Sequence, residues 1–450
     1  NDQLDEDDLI LFYAQAAGNW VYNTSSNRHE YQEHYSSAFN YLYLTFGGSN
    51  GKRLSISPAN QGTQSDTALT SYDHLYRHDK NEFNFLQSGR DWWGNSLKNN
   101  TIQTFEINLP GIVPGSEASF KHRVAGRSTL RSSYSVSINS QRVINDNFSA
   151  VSGDYAASYH SSPSIKRVDF EINAPLVEIK YEHNKSTADG DAWIDYFELV
   201  VPRNLVYNNE QTKIFTRHSF DFDRLKFEMT DGNFDLWDVT DLHNVRIQET
   251  AAENNKRVFV AESSKAALKY IAFKLSDAYT PEGIGRVENQ NLHSYGPADY
   301  VIVTHPSFEG VSEKLAEFHR NHYGHSVHVV TTEEVYNEYG SGKADPSSIR
   351  NFVKMIYDRG QAQSRPLKYL LLFGDGSYDF KDYTKNNTNF VPTFQSRNSF
   401  IPTITYSTDD YYAILEDHEG YLDQNGAKEG LDLGVGRIPA GNVEEANVFV

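Results

Sequence analysis

The stretch that decides the fold is residues 369–377, Tyr-Leu-Leu-Leu-Phe-Gly-Asp-Gly-Ser. Five consecutive large apolar residues are typical of a strand buried on both faces, and the Gly-Asp-Gly-Ser that follows predicts a tight loop. Residues 299–304, Asp-Tyr-Val-Ile-Val-Thr, and residues 327–330, Val-His-Val-Val, predict two further strands, and residues 431–435 predict a fourth. Because helical patterns separate these strands, the sequence predicts a parallel sheet with helical crossovers.

Helix boundaries between these strands are marked by residues that cap helices. Apolar residues recur at helical spacing from residue 310 to residue 323, and Gly324 follows as a stop signal. Three more helices are predicted from pairs of residues that satisfy the first free backbone N–H groups of a helix or suit its first turn. These pairs are Thr331 with Glu334, Asp345 with Pro346, and Asn442 with Glu445.

In residues 9–277 the apolar residues recur with a period of two, as in strands, and not with the helical period. Large apolar residues alternate with other residues in segments 41–46, 104–109, 168–172, 177–181 and 192–201, with Gly, Asn, Ser and Pro clusters between them. This alternation predicts β-rich, antiparallel sandwich-type domains ahead of the α/β region. We expect a multidomain chain: a β-rich region over 1–114, a β-sandwich over 115–202, a β-rich domain and linker over 203–295, and a truncated α/β subdomain over 296–450.

Composition limits the possible functions. The 450 residues carry 41 Lys+Arg and 60 Asp+Glu, so the net charge is 41 − 60 = −19, which disfavours nucleic acid as a partner. With no cysteine in the sequence, this chain can supply neither a disulfide nor a thiol nucleophile. No apolar run approaches the ~20 residues of a membrane span. We expect that an export signal has been removed and that the sheet continues beyond Val450.

Two histidine patterns suggest metal sites. His29 and His34 resemble a zinc-peptidase motif with one residue too many, which places the two imidazoles about 140° apart around a helix, so a surface segment is the favoured interpretation. His319, His322 and His325 are spaced by three. The first two could share a helix face, whereas Gly324 ends the helix before His325, so a polar helix end is favoured over zinc.

The loop Gly374, Asp375, Gly376 and Ser377 follows the strongest predicted strand, and α/β proteins place function at such positions. A phosphate cradle, a serine nucleophile and an acidic pocket are the functional interpretations. The phosphate motif fails because Asp379 occupies its last position, and the G-x-S-x-G motif fails because Asp375 precedes Ser377 by two residues. We therefore predict an acidic or structural turn.

Carboxylate groups suggest calcium, and a pair of tryptophans suggests a sugar. Calcium is a possible but not a required cofactor, and solvated or capping carboxylates are the favoured interpretation. The calcium candidates are Asp409, Asp410, Asp189, Asp191 and Asp195. Trp92 and Trp93 could stack on a sugar or fill the end of a sandwich, and burial is the commoner outcome.

Seven motifs in one order resemble the gingipain-like (C25) cysteine peptidase family, and within it the sortases of the Bacteroidetes type IX secretion system. The resemblance spans nearly the whole chain. The motifs are SGRDWWG (88–94), LWDVT (236–240), ENQNLH (288–293), YNEYGSGK (336–343), LFGDGSYD (372–379), TDDYY (408–412) and GVGRIP (434–439).

The resemblance implies a first gingipain-like subdomain from about Ala298, and a parent enzyme on the outer face of the outer membrane. That enzyme would remove carboxy-terminal sorting domains from secreted proteins through a thioester and transfer the cargo to a lipopolysaccharide acceptor. An outer-membrane shuttle protein is the expected membrane partner. The family's catalytic His and Cys lie beyond the segment that matches 434–439, so no catalytic residue is assigned here and this chain alone is expected to be inactive. The alternative is a calcium- or carbohydrate-binding surface adhesin without enzymatic activity.

Overall fold

The computed structural model describes residues 9–45, 47, 51–60, 63–65, 67–216, 223–230, 232–262, 267–385, 387–420, 422 and 430–450. Within these ranges, the amino-terminal part of the chain is built mainly of strands. They are β1 (Asn19–Asn23), β2 (Arg28–Gln32), β3 (Ser55–Ser57), β4 (Thr67–Leu69), β5 (Ser71–Asp79), β6 (Gly94–Ser96), β7 (Ile102–Asn108), β8 (Ser116–Arg127), β9 (Ser132–Ile138), β10 (Gln141–Phe148), β11 (Ser164–Ile172), β12 (Leu176–Asn184), β13 (Asp191–Asn204), β14 (Thr212–Phe215), β15 (Arg224–Thr230), β16 (Asp235–Asp238), β17 (Arg246–Gln248), β18 (Ala251–Glu253), β19 (Lys256–Glu262) and β20 (Lys269–Phe273).

A ten-stranded, mostly antiparallel sheet forms the centre of this β-rich part. Its order is β11-β8-β13-β5-β14-β20-β16-β17-β3, with β6 also paired to β13. The sheet β10-β9-β12-β7 packs on one end through a core that includes Phe120, Ile179 and Phe197. The sheet β18-β19-β15-β4 packs on the other end around Phe227 and Phe259. The predicted sandwich class is confirmed, while boundaries at 114, 202 and 295 stay predictions.

The alternation that predicted a strand at residues 41–46 was misleading. Residues 41–45 form no strand, and Phe46 lies outside the described residues. Tyr41 lies against Gly342, and the Tyr43 hydroxyl donates to Asn337 Oδ1 at 2.8 Å. The segment therefore places its side chains on the α/β unit instead of pairing its backbone in a sheet.

The carboxy-terminal part is an α/β unit with a four-stranded parallel sheet of order β22-β21-β23-β26. Its elements are β21 (Tyr300–Thr304), α1 (Glu309–Tyr323), β22 (Val327–Thr331), α2 (Thr332–Tyr339), α3 (Pro346–Ala362), β23 (Tyr369–Phe373), β24 (Phe394–Gln395), β25 (Ser407–Thr408), β26 (Gly434–Ile438) and α4 (Val443–Phe449).

Both faces of this sheet are covered, as the apolar runs predict. Val301, Val303 and Leu372 share a core with residues of α2 and α3. Ile302 and Phe373 share another core with residues of α1 and α4. No helix in the described ranges is both long and apolar enough to span a bilayer.

The predicted helix starts are confirmed by their capping hydrogen bonds. The Thr331 hydroxyl accepts from Glu334 N, and the Glu334 carboxylate accepts from Thr331 N. Asp345 caps α3 and Asn442 caps α4 in the predicted way. The fourth strand, β26, begins three residues later than predicted, because Gly434, rather than Leu431, is the residue paired with Tyr369.

Candidate functional site

The carboxyl ends of β21 and β23 meet where the strand order reverses, which is the usual ligand crevice of an α/β sheet. Aromatic side chains fill this crevice. Phe308 is buried, and its ring centre lies 5.2 Å from that of Phe390 and 5.8 Å from that of His305. A Cβ on Gly374 would come within 3.0 Å of Val391. The crevice is therefore a packed core here, not an open pocket.

The polar groups of the Gly374–Ser377 loop are used within the fold. The Asp375 carboxylate accepts from Gly376 N at 2.9 Å and from the Thr388 hydroxyl at 2.7 Å. Ser377 N donates to Asn389 Oδ1 at 3.0 Å, and Ser377 Oγ accepts from Asp379 N at 3.0 Å. Because these groups are already partnered, the geometry is that of a structural turn.

Arg437 in β26 connects the loops at this edge of the sheet. Its Nη1 donates to Gly374 O and to Val391 O at 2.7 Å each, and its Nη2 donates to Pro392 O at 3.3 Å. Nη2 and Nε also form a two-pronged ion pair with the Asp409 carboxylate, at 2.7 and 2.8 Å. A planar guanidinium can make these contacts at once, so Arg437 holds three loops together.

This geometry bears on the first pair of calcium candidates. Both carboxylate oxygens of Asp409 accept from Arg437, and Asp410 is exposed. The only group of three ligand side chains that the structure gathers within 4.8 Å in the described ranges is Glu416, His418 and Glu419. Calcium binding at Asp409 and Asp410 stays a prediction.

The second set of calcium candidates is divided between different environments. Asp189 is exposed. Asp191 is buried, and its Oδ1 accepts from Ser96 Oγ at 3.1 Å and from Ala192 N at 2.8 Å. Asp195 is buried and pairs with Arg123 at 2.6 Å. None of these three residues belongs to the Glu416, His418 and Glu419 group, and calcium binding at them also stays a prediction.

Segment 88–94 docks the β-rich part onto the α/β unit. Gly89 N donates to Gln395 Oε1 at 3.0 Å, and Asp91 N donates to Ser399 Oγ at 2.7 Å. Arg90 N donates to Ser396 O at 3.0 Å. Gly89 has φ +77°, and a Cβ there would come within 2.3 Å of a backbone oxygen, so this close approach requires glycine. Sequence reasoning singled out this segment but did not predict its partner.

Both tryptophans of this segment are buried. The Trp92 ring stacks on Tyr378 with 5.7 Å between centres and meets the edge of Tyr383 at 4.9 Å. Trp93 is fully buried beneath Arg123, whose guanidinium lies 4.6 Å from the ring centre. The prediction of burial is confirmed, and neither ring is placed to stack on a sugar.

A second contact surface joins residues 33–43 to the α/β unit. Glu33 pairs with Lys381 at 2.6 Å, and His34 Nε2 lies 3.5 Å from an Asp345 carboxylate oxygen. Burial lowers the pKa of His34, although Asp345 opposes this shift. A cavity of about 280 Å³ opens beside these contacts, with Arg77 and Tyr383 in its lining. Sequence reasoning considered His34 only for a metal site, so it missed this surface.

The two histidine patterns of the sequence lie in different parts of the fold. His29 lies in β2, where it is buried 3.4 Å from an Asp73 oxygen, and His34 lies beyond the end of that strand. They do not form a helical metal pair, as predicted, but the prediction of a surface segment is wrong for His29, which is 3% exposed. His319 and His322 lie in α1, and His325 follows its Gly324 cap.

The comparison with known protein families concerns the α/β unit. Residues 293–450 match the model of Peptidase family C25. This match confirms the resemblance that the ordered motifs indicated. The search of curated proteins gave no match.

Solved structures extend the similarity to the β-rich part. The chain superposes on dimeric latent PorU from Porphyromonas gingivalis with a TM-score of 0.81 and 23% identity, over 97% of this chain and 42% of that one. The chain thus spans about two fifths of the PorU structure, and the match establishes the shared fold.

Smaller matches involve two carbohydrate-binding modules. One is the CBM36-1 domain of a multidomain xylanase from the hindgut metagenome of Trinervitermes trinervoides, at 12% identity, over 28% of this chain and 95% of that one. The other is CBM36 in complex with calcium and xylotriose, at 13% identity, over 28% and 98%. Both have a TM-score of 0.19, which supports no functional conclusion.

Proposed function

We propose that this chain is the amino-terminal part of a cell-surface sortase, a C25-like cysteine endopeptidase of the type IX secretion system. The observation that carries the proposal is the superposition on PorU over 97% of the chain, together with the C25 match of residues 293–450. The same superposition covers 42% of PorU, and this sequence contains no cysteine. We therefore assign the nucleophilic thiol and its histidine to residues of the parent protein outside this sequence.

In the proposed reaction, a thiolate attacks the peptide bond before a sorting domain and releases that domain as the leaving group. An amine of a lipopolysaccharide-linked acceptor, or water, then resolves the thioester. The proposed partners are secreted proteins with carboxy-terminal sorting domains, the lipopolysaccharide acceptor and an outer-membrane shuttle protein, at the extracellular face of the outer membrane. Calcium remains a possible, not a required, cofactor.

The structure suggests what this chain contributes to such an enzyme. The β-rich part contacts residues 395–399, which follow the loops that Arg437 holds at the carboxyl edge of the sheet. We propose that the β-rich part fixes the position of these loops in the complete peptidase unit. The adhesin alternative loses one of its supports, the tryptophan pair, because both Trp92 and Trp93 are buried.

Deleting the gene in the bacterium that encodes this chain tests the proposal. Secreted proteins should then keep their sorting domains, which mass spectrometry of the cargo termini detects, and the full-length gene should restore cleavage. Normal processing of cargo in the deletion strain would refute the sortase assignment. The chain alone, incubated with a cargo substrate, should give no cleavage, and turnover would refute the assignment of the chemistry to other residues.

A further inference from the structure

The histidine series at the end of α1 folds in a way that its spacing does not predict. Gly324 adopts a left-handed conformation, with φ 68°, and His325 N donates to His319 O at 3.3 Å. The chain therefore turns back, and the imidazoles of His319 and His325 lie nearly parallel, 9° apart, with 5.9 Å between ring centres. The pair brought together is the first and third histidine, not the first and second.

These two imidazoles lie among tyrosine rings at the amino-terminal edge of the parallel sheet. Tyr323 lies 5.5 Å from His319 and 5.6 Å from His325, measured between ring centres. Tyr300 of β21 meets His319 at 4.7 Å, and Tyr369 of β23 lies 5.9 Å from His325. The rings shield one side of the pair from water.

Both histidines of the pair have an unused nitrogen. Nδ1 of His319 and Nδ1 of His325 are buried and have no hydrogen-bond partner among the described residues. A buried polar atom normally has a partner, so two such atoms on adjacent rings require an explanation. His322 differs from both, because it is exposed and its ring stacks on Phe318 at 5.2 Å.

We propose that His319 and His325 form a two-histidine site for a borderline divalent transition-metal ion, with Zn²⁺ and Cu²⁺ as the ions that imidazole nitrogens suit best. Given metal–nitrogen distances of about 2.0–2.1 Å, two imidazoles on one ion have ring centres roughly 5–6 Å apart, and the observed separation is 5.9 Å.

An ion at this site would join the end of α1 to the residues that enter β22. It would thus stabilise the edge of the sheet opposite to the one at which Arg437 holds the loops. The inference concerns residues on this chain alone and does not depend on the proposed sortase function.

Zinc titration of the full chain tests the site. Calorimetry and thermal melting should show Zn²⁺ binding and a Zn²⁺-dependent rise in melting temperature for the wild type. His319→Gln and His325→Gln should each weaken Zn²⁺ affinity at least about tenfold and abolish the rise, measured against each variant's own metal-free melting curve. His322→Gln serves as the matched control and should behave as the wild type does. His418→Gln removes the histidine of the Glu416–His418–Glu419 group and should also leave this binding intact.

Copper spectroscopy on the wild type keeps the test decisive even if a variant folds poorly. Electron paramagnetic resonance of the chain with one equivalent of Cu²⁺ should show two nitrogen ligands. The assignment would be overturned if Zn²⁺ did not stabilise the wild type, or if the copper signal showed fewer than two nitrogens. It would also be overturned if Zn²⁺ binding survived His319→Gln or His325→Gln, or if binding were lost in His322→Gln.

Discussion

Replacing Arg437 with methionine should loosen the loops at the carboxyl edge of the sheet while the β-rich part stays folded. The change removes five hydrogen bonds, to Gly374 O, Val391 O, Pro392 O and both carboxylate oxygens of Asp409. The Arg437 side chain is 12% exposed and that of Asp409 is 21% exposed. Methionine keeps an unbranched apolar stem but leaves this partly buried carboxylate without its partner.

The expected cost follows from that burial. Removing one partner of a buried ion pair costs about 3–5 kcal/mol, and an exposed pair is worth at most about 1 kcal/mol. Because some solvent reaches Asp409, we expect about 3 kcal/mol for Arg437→Met. Arg437→Lys keeps the charge but loses the planar fork, so we expect about 1–2 kcal/mol.

Hydrogen exchange measured peptide by peptide is the appropriate assay, because all five tryptophans lie before residue 238 and their fluorescence would mix signals of the β-rich part with that of Trp92, which stacks on Tyr378 of the α/β unit. A loss of about 3 kcal/mol should raise exchange by about a hundredfold in peptides that cover 391–409. Peptides from β8 and β13 serve as the internal control. An exchange rate that rises less than about threefold in 391–409, or rises equally in β8 and β13, would refute the conclusion that Arg437 holds these loops together.

Three further predictions concern the interface and the β-rich part. Gly89→Ala should lower the melting temperature, because its Cβ would meet Asn398 O at 2.3 Å, whereas Gly153→Ala, with open space around it, should leave it unchanged. Trp92→Ala should cost about 3–5 kcal/mol in urea unfolding, since the buried ring loses Tyr378, and a cost below about 1 kcal/mol would contradict that packing. Stability of the β-rich part should fall as pH drops from about 6.5 towards 4, since burial lowers folded-state imidazole pKa values and the unfolded chain binds the extra protons. Tryptophan fluorescence in urea at about pH 7.5, 6 and 5 checks this last prediction, and a constant midpoint would contradict it. The pKa is lowered to about 4 in His74, His160 and His183 and to about 3 in His122.

The sequence predicts best those elements whose signals are local. An apolar run such as 369–373 must be buried on both faces, and a Thr331–Glu334 capping pair satisfies backbone groups within one turn. The same local rule was misleading at 41–46. Apolar residues can also alternate in a segment that packs its side chains on another unit without pairing its backbone in a sheet. It also misplaced β26, where pairing with β23, not local apolarity, decides which residues form the strand.

The candidate site was less predictable, because its contacts join distant residues. The loop after β23 was placed correctly, yet the acceptors of Arg437 lie 28 to 63 residues earlier in the chain. A guanidinium in the sequence does not reveal whether it will find carbonyl groups or water. The pairing of His319 with His325 was missed for a related reason, since helical spacing does not describe the turn that Gly324 makes.

The two contact systems of the α/β unit meet in one short segment. Arg437 fixes Val391 and Pro392 from the sheet side, and a few residues later Gln395 and Ser399 accept from the backbone of segment 88–94. The loop is therefore held at one end by the region that matches a peptidase family and at the other by the β-rich part. Because each set of contacts holds a different part of the loop, the position of this loop depends on both parts of the chain, and the β-rich part is a structural component of the α/β unit rather than an appended domain.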